Sequence, residues 1–183
     1  MKKHESFRLA VILLVALSVP IFAGIYASQP DKRPDSQRRF IAVNAAAESQ
    51  WRAAPNEIIR RKAYEAALRD RCNAFARADN WLGTIEMVSE YAGTKDAYLA
   101  VKISNNITLR TVGSMASKGE GIAIDSDIYN VISHLRAGND VIISGVFAVD
   151  ADGCLREGSL TKEGSITGPE YIFIFESVTP FSR

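Results

Sequence analysis

The sequence predicts a mainly β domain carrying helices, set behind an apolar N-terminal segment. Three observations point there. Leu9 to Ala27 is a run of nineteen residues without a charge, preceded by the basic start Lys2, Lys3 and Arg8. From Phe40 to Phe75 apolar residues recur at spacings of three and four, the period of a helix face. From Trp81 onward the period falls to two, the mark of strands with one buried face.

Residues 1–28 read as a membrane-targeting segment, because basic residues ahead of an apolar run hold that end in the cytoplasm. Nineteen helical residues at about 1.5 Å each span roughly 28 Å, close to the ~30 Å of bilayer hydrocarbon. A cleaved signal has a shorter apolar stretch, about 7–15 residues. Ala23 and Ala27 are candidate cut sites, but Ile21 and Ile25 stand where a small residue is wanted, and no cysteine is present here to take a lipid. Length favours a retained anchor, with membrane contact through residues 9–27. The remainder is then expected on the non-cytoplasmic, periplasmic side of an inner membrane. Cleavage would instead release it as a periplasmic or secreted protein.

Residues 29–37 contain Pro30 and Pro34 and read as a linker. In the helical segment 38–79, Phe40, Val43, Ala47, Trp51 and Ala54 share one face. Pro55 disfavours helix at Ala54, so the helix breaks there and Asn56 restarts it. Tyr64, Leu68, Cys72 and Phe75 form the second stripe. Glu57 with Arg61, and Glu65 with Arg69, fall four apart in the favourable order, worth about 0.2–0.5 kcal/mol each. Residues 29–79 carry 11 basic against 7 acidic side chains, whereas residues 80–183 carry 8 against 13. The basic helix face reads as solvated, with anionic lipid headgroups as the alternative contact.

In residues 80–183, Trp81, Gly83, Ile85 and Met87 lie on one face of a first strand. Ala97, Leu99, Val101 and Ile103 do so in a second, and Ile107, Leu109 and Thr111 in a third. Ser104-Asn105-Asn106 makes the hairpin between them, since Asn tolerates positive φ. A Gly/Ser-rich loop, Gly113 to Gly121, leads to a helix through Ile128, Val131, Ile132 and Leu135, capped by Asp125 or Ser126 and stopped by Gly138. Val141 to Val149 is a fourth strand with apolar residues on both faces, as deep burial requires. Asp150 to Gly153 is a turn, and a loop of roughly twenty residues, long for a compact domain, leads to a last strand, Tyr171–Glu176.

Three strands, a helix and two strands, in that order over residues 80–183, resemble an OB-fold. The resemblance rests on element order and lengths and on no signature motif. It implies a five-stranded Greek-key barrel with the helix between strands three and four. An open antiparallel α+β sheet is the alternative.

Outside the targeting segment the one histidine is His134, and no nucleophile is placed beside it by sequence, so no catalytic residue is assigned. With His134, Cys72 and Cys154 as the available N and S ligands, no metal site and no cofactor are expected. Asp150-Ala-Asp-Gly153 opens like a calcium loop but lacks the later ligands, and Gly119-Glu-Gly121 lacks the lysine of a phosphate loop. Asn106-Ile-Thr108 is a formal glycosylation triplet. An oxidising compartment permits a disulfide between Cys72 and Cys154; two separate thiols are the alternative.

The resemblance implies ligand binding across strands two and three, where the outward positions are Tyr98, Lys102, Thr108 and Arg110 beside the loops 92–96 and 150–168. A nucleic-acid groove needs positive charge and stacking aromatics. This part of the chain is acidic and offers one aromatic on that face, so nucleic acid is disfavoured. The leading expectation is a non-enzymatic envelope protein that binds a protein or small ligand. An oligonucleotide- or oligosaccharide-binding module is the first alternative, and an enzyme using His134 or Cys154 the second.

Overall fold

The computed structural model describes residues 31–72, 75–91, 96–112 and 121–181. The apolar segment 9–27, the loop 92–95 and residues 113–120 of the Gly/Ser-rich stretch lie outside the described residues. Among the described residues no helix is long and apolar enough to cross a membrane. Residues 32–183 form one compact unit.

Helix α1 (Asp35–Ala53) begins inside the predicted linker. Asp35 sits in its first turn, where a negative charge favours the positive end of the helix dipole, and the Arg38 amide donates to Pro34 O at 3.0 Å. Pro55 ends the helix as expected: Ala54 is extended, and Asn56 caps α2 (Glu57–Arg71) by accepting from the Ile59 amide at 3.1 Å. The surface ion pairs are not those predicted. Glu57 pairs with Arg60 and Glu65 with Arg61, because neighbours three and four residues away compete on an exposed helix face.

Five strands follow: β1 (Arg77–Glu90), β2 (Ala97–Ser104), β3 (Ile107–Arg110), β4 (Asp140–Phe147) and β5 (Glu170–Pro180). They close into a barrel in the order β1-β2-β3-β5-β4, with β3 and β5 parallel and the other neighbours antiparallel. A closed five-stranded barrel is compatible with an OB-like fold and replaces the open-sheet alternative. Two strands differ from their predicted faces. A register shift between Ile85 and Met87 turns Met87 outward, 51% exposed, and Val88 packs toward the core instead. β4 alternates buried and half-buried residues rather than being covered on both sides.

Three local expectations also change. Asn80, not the Asn105-Asn106 hairpin, is the described non-glycine residue with positive φ (56°), and its amide donates to Ser144 Oγ at 2.9 Å. Ser126 rather than Asp125 caps α3 (Asp127–Ile132). Gly138, with φ 90°, lies beyond the end of α3 at the turn into β4, where its amide meets Ile85 O at 2.8 Å. Before β5 the predicted bare loop holds a further helix, α4 (Lys162–Thr167), capped by Thr161. Residues 155–158 bond to Ala148, Glu170 and Ile172, so the long connection is stitched to the barrel.

Helix α1 closes one barrel end. Phe40 is fully buried, with its ring centroid 4.9 to 5.2 Å from those of Phe75, Trp81, Phe147 and Tyr171. One turn earlier, Gln37 donates to Leu82 O at 2.6 Å and accepts from Leu82 N at 2.9 Å. Leu82 precedes the first β1–β2 pair, Thr84↔Lys102, so the Gln37 amide stands in for a missing strand residue. Ser36 accepts from Trp81 Nε1 at 2.9 Å. Phe40→Ala should therefore destabilise the chain by about 3–5 kcal/mol in denaturant unfolding, since the plug leaves a cavity the rigid barrel mouth cannot fill. Ile41→Ala, on the flank of the same helix, should cost far less.

Candidate functional site

Tyr98 and Lys102 lie on β2 and Thr108 and Arg110 on β3, and the two cations among them are engaged. Lys102 Nζ lies 3.3 Å from Glu86, and the nearly buried Thr108 hydroxyl donates to the same carboxylate at 2.9 Å. Arg110, 13% exposed, pairs with Glu170 at 2.7 Å and reaches Gly158 O at 3.4 Å. A Cβ on Gly158 would meet that guanidinium, which would have to shift to admit it. Tyr98 packs its ring 5.9 Å from Tyr91, and burial raises its pKa. Two acids, Glu86 and Glu170, answer the two bases separately, and Tyr98 packs against Tyr91 apart from both pairs.

A different group of residues makes a concavity. The C-terminal half of α2, the turn 150–154, the loop into α4 and Tyr171 of β5 enclose a cleft of about 380 Å³. Its construction follows from one covalent contact: Cys72, at the C-cap of α2, and Cys154, at the end of the turn, stand as a disulfide pair with Cα atoms 4.1 Å apart. The turn holds its shape through Asp150 N to Cys154 O at 2.9 Å and Gly153 at φ 79°. In the chain-entropy picture, a link across 82 residues stabilises by roughly 4–5 kcal/mol.

Arg71 forms part of this cleft's lining and is 3% exposed. Nη1 donates to Ser165 O at 2.9 Å, and the guanidinium lies over the Tyr171 ring at 5.7 Å. Nε and Nη2 have no hydrogen-bond partner among the described residues, and no carboxylate there pairs with Arg71. A buried charge without a partner costs several kcal/mol. Sequence reasoning missed this residue because an arginine in a basic helix reads as a solvated face. The available signal was its spacing, four residues beyond Ala67 and eight beyond Ala63, both buried.

Acidic side chains stand on the other walls. Asp150 and Asp152 are exposed, and Glu157 is half-buried; its Oε1 accepts from the Ser159 and Glu170 amides at 3.1 and 2.8 Å. Lys162 lies over the Tyr64 ring at 5.5 Å. His134 is elsewhere, exposed on the surface, with Nδ1 2.8 Å from Asn130 O and 3.1 Å from Ser133 Oγ. That hydroxyl is a neighbour the sequence did not single out, but it donates to Asn130 O at 2.8 Å and faces neither acid nor cleft. Cys154, in the disulfide pair, has no thiol to offer an enzyme. No known family model and no curated protein matches the chain.

Behind the cleft, Tyr171 donates its hydroxyl proton to Asn44 Oδ1 at 2.6 Å. Burial raises its pKa well above the ordinary 10.0, and the Arg71 guanidinium opposes the shift only partly while Glu157 adds to it. The folded pKa exceeds the unfolded one, so this stabilisation is complete below the unfolded value, 10.0, and is lost as pH rises beyond it toward the folded value. Alkaline titration at 295 nm should find Tyr171 silent in the folded protein. Tyr171→Phe should lower stability at neutral pH by about 1–3 kcal/mol, leaving Asn44 without its donor, and should flatten the loss above the unfolded pKa.

Proposed function

We propose that this chain is a non-enzymatic envelope protein whose barrel is an OB-fold domain binding a small ligand in the cleft beside Arg71. It is anchored through residues 9–27, or exported after their removal, and the barrel works on the periplasmic side. The single observation that carries the ligand site is the buried Arg71 guanidinium with Nε and Nη2 unpartnered on the floor of a cleft. Carboxylates and other planar anions complement two such donors bidentately. The cleft volume of about 380 Å³ falls in the ~300–1,000 Å³ range of small-molecule sites. Nη1 is taken by the Ser165 carbonyl, so the bidentate pair falls to Nε and Nη2, which the cleft walls cover until an anion parts them.

Three further observations support the reading. The strand order, the parallel β3–β5 pair and the helix between β3 and β4 favour the OB-fold assignment. The pairing of Lys102 and Arg110 with Glu86 and Glu170 leaves the β2–β3 face little charge for a phosphate backbone. A disulfide pair fits an oxidising compartment.

Arg71→Met separates a ligand contact from a structural one. Removing an unpartnered buried charge should leave unliganded stability unchanged or raise it by about 1 kcal/mol. The same substitution should abolish the rise in Tm that sodium acetate gives the parent chain over sodium chloride at equal ionic strength. A variant destabilised by several kcal/mol, with acetate inert toward the parent, would make Arg71 a structural residue.

A further inference from the structure

Taking the Arg71 cleft as a ligand site, we propose that its ligand is a small zwitterion of the basic amino-acid type, with its carboxylate on Arg71 and its ammonium groups on the acidic turn and Glu157. The charges of the cleft are arranged in opposition. Arg71 immediately precedes Cys72, and Asp152 and Asp150 lie two and four residues before Cys154. The disulfide pair, with Cα atoms 4.1 Å apart, therefore brings the acidic turn to the arginine's end of α2. Yet no carboxylate among the described residues lies within salt-bridge distance of Arg71. Cation and anions share one cleft without neutralising each other, which is the arrangement a ligand with both charges completes.

The sign of the rim decides between ligand classes. Asp150, Asp152 and Glu157 outnumber Lys162, which is itself engaged over Tyr64. Phosphates and polyanions are repelled by three carboxylates. A simple carboxylate satisfies Arg71 and leaves the rim unanswered. A second cationic group answers it, so a basic side chain adds affinity over a neutral one of the same shape. Oε2 of Glu157 makes no hydrogen bond to a described residue, since Oε1 takes the Ser159 and Glu170 contacts, and is available to an ammonium.

Calorimetric titration of the intact chain with L-lysine, L-norleucine, cadaverine and sodium acetate tests this. L-Norleucine keeps the amino-acid head without the side-chain charge, and cadaverine keeps both amines without the carboxylate. The expected order is L-lysine tightest, L-norleucine several-fold weaker, and cadaverine weaker than L-lysine by about tenfold or more, as loss of a bidentate charged pair implies. Asp150→Asn with Asp152→Asn should bring L-lysine toward the L-norleucine value and weaken L-norleucine much less. Equal binding of L-lysine and L-norleucine, or of L-lysine and cadaverine, overturns the zwitterion. Acetate binding that depends on Arg71 while neither amino acid binds overturns it too, and leaves the anion site standing. If none of the four probes binds, the ligand site falls with it.

Discussion

A five-stranded barrel has two ends, and an apolar interior open to water at either one would not hold together. In this chain one end is closed by Phe40, delivered by a helix that precedes the barrel in sequence. The ring is fully buried among Phe75, Trp81, Phe147 and Tyr171, so it touches the first, fourth and fifth strands through their own core residues. Gln37 fixes the angle of approach by pairing with the Leu82 backbone where β1 runs beyond its partner strand. Once α1 is seated, α2 packs beside it and α4 covers them both, with Ala47, Ala67 and Ile166 as their small shared core. The helical walls of the cleft, from α2 and α4, depend on that seating.

The cleft itself shows the opposite energetic character. The aromatic plug is well packed and fully satisfied, whereas Arg71 is buried with two donors idle. Fully satisfied buried polar groups are also present nearby, as in the Tyr171–Asn44 bond at 2.6 Å, so the chain can complete such networks where only stability is at stake. One left incomplete beside a cavity that also carries acidic residues is the feature on which the proposed ligand site rests.

Much of the architecture was legible because it is written in local periodicity. The change from helical spacing to alternation near Trp81, the break at Pro55 and the hairpin at Asn105-Asn106 all depend on neighbours within a few residues. The pairing of Cys72 with Cys154 was one of two readings that the cysteine count left open, and the structure brings the two together. What sequence reasoning missed has its cause far along the chain. Gln37 looked like linker because its partner, Leu82, is 45 residues away. Arg71 looked solvated because Ser165 and the covering helix α4 lie 94 residues on. α4 itself is six residues long, with Ile166 as its buried anchor, too little apolar content to show a period. Alternation suggested the positions on β2 and β3, but Thr108 is buried and the charge balance there depends on Glu86 and Glu170, contributed by β1 and β5.

If α1 is the closure of the barrel and not an accessory to it, helices and barrel must unfold together. Denaturant unfolding of the chain can be followed at once by helical ellipticity at 222 nm and by tryptophan fluorescence, in a variant that keeps Trp81 and replaces Trp51 by Phe. Coincident transitions with one midpoint are the predicted result. Loss of helical signal at lower denaturant, with Trp81 still buried, would show a barrel that stands without its plug and would contradict the account.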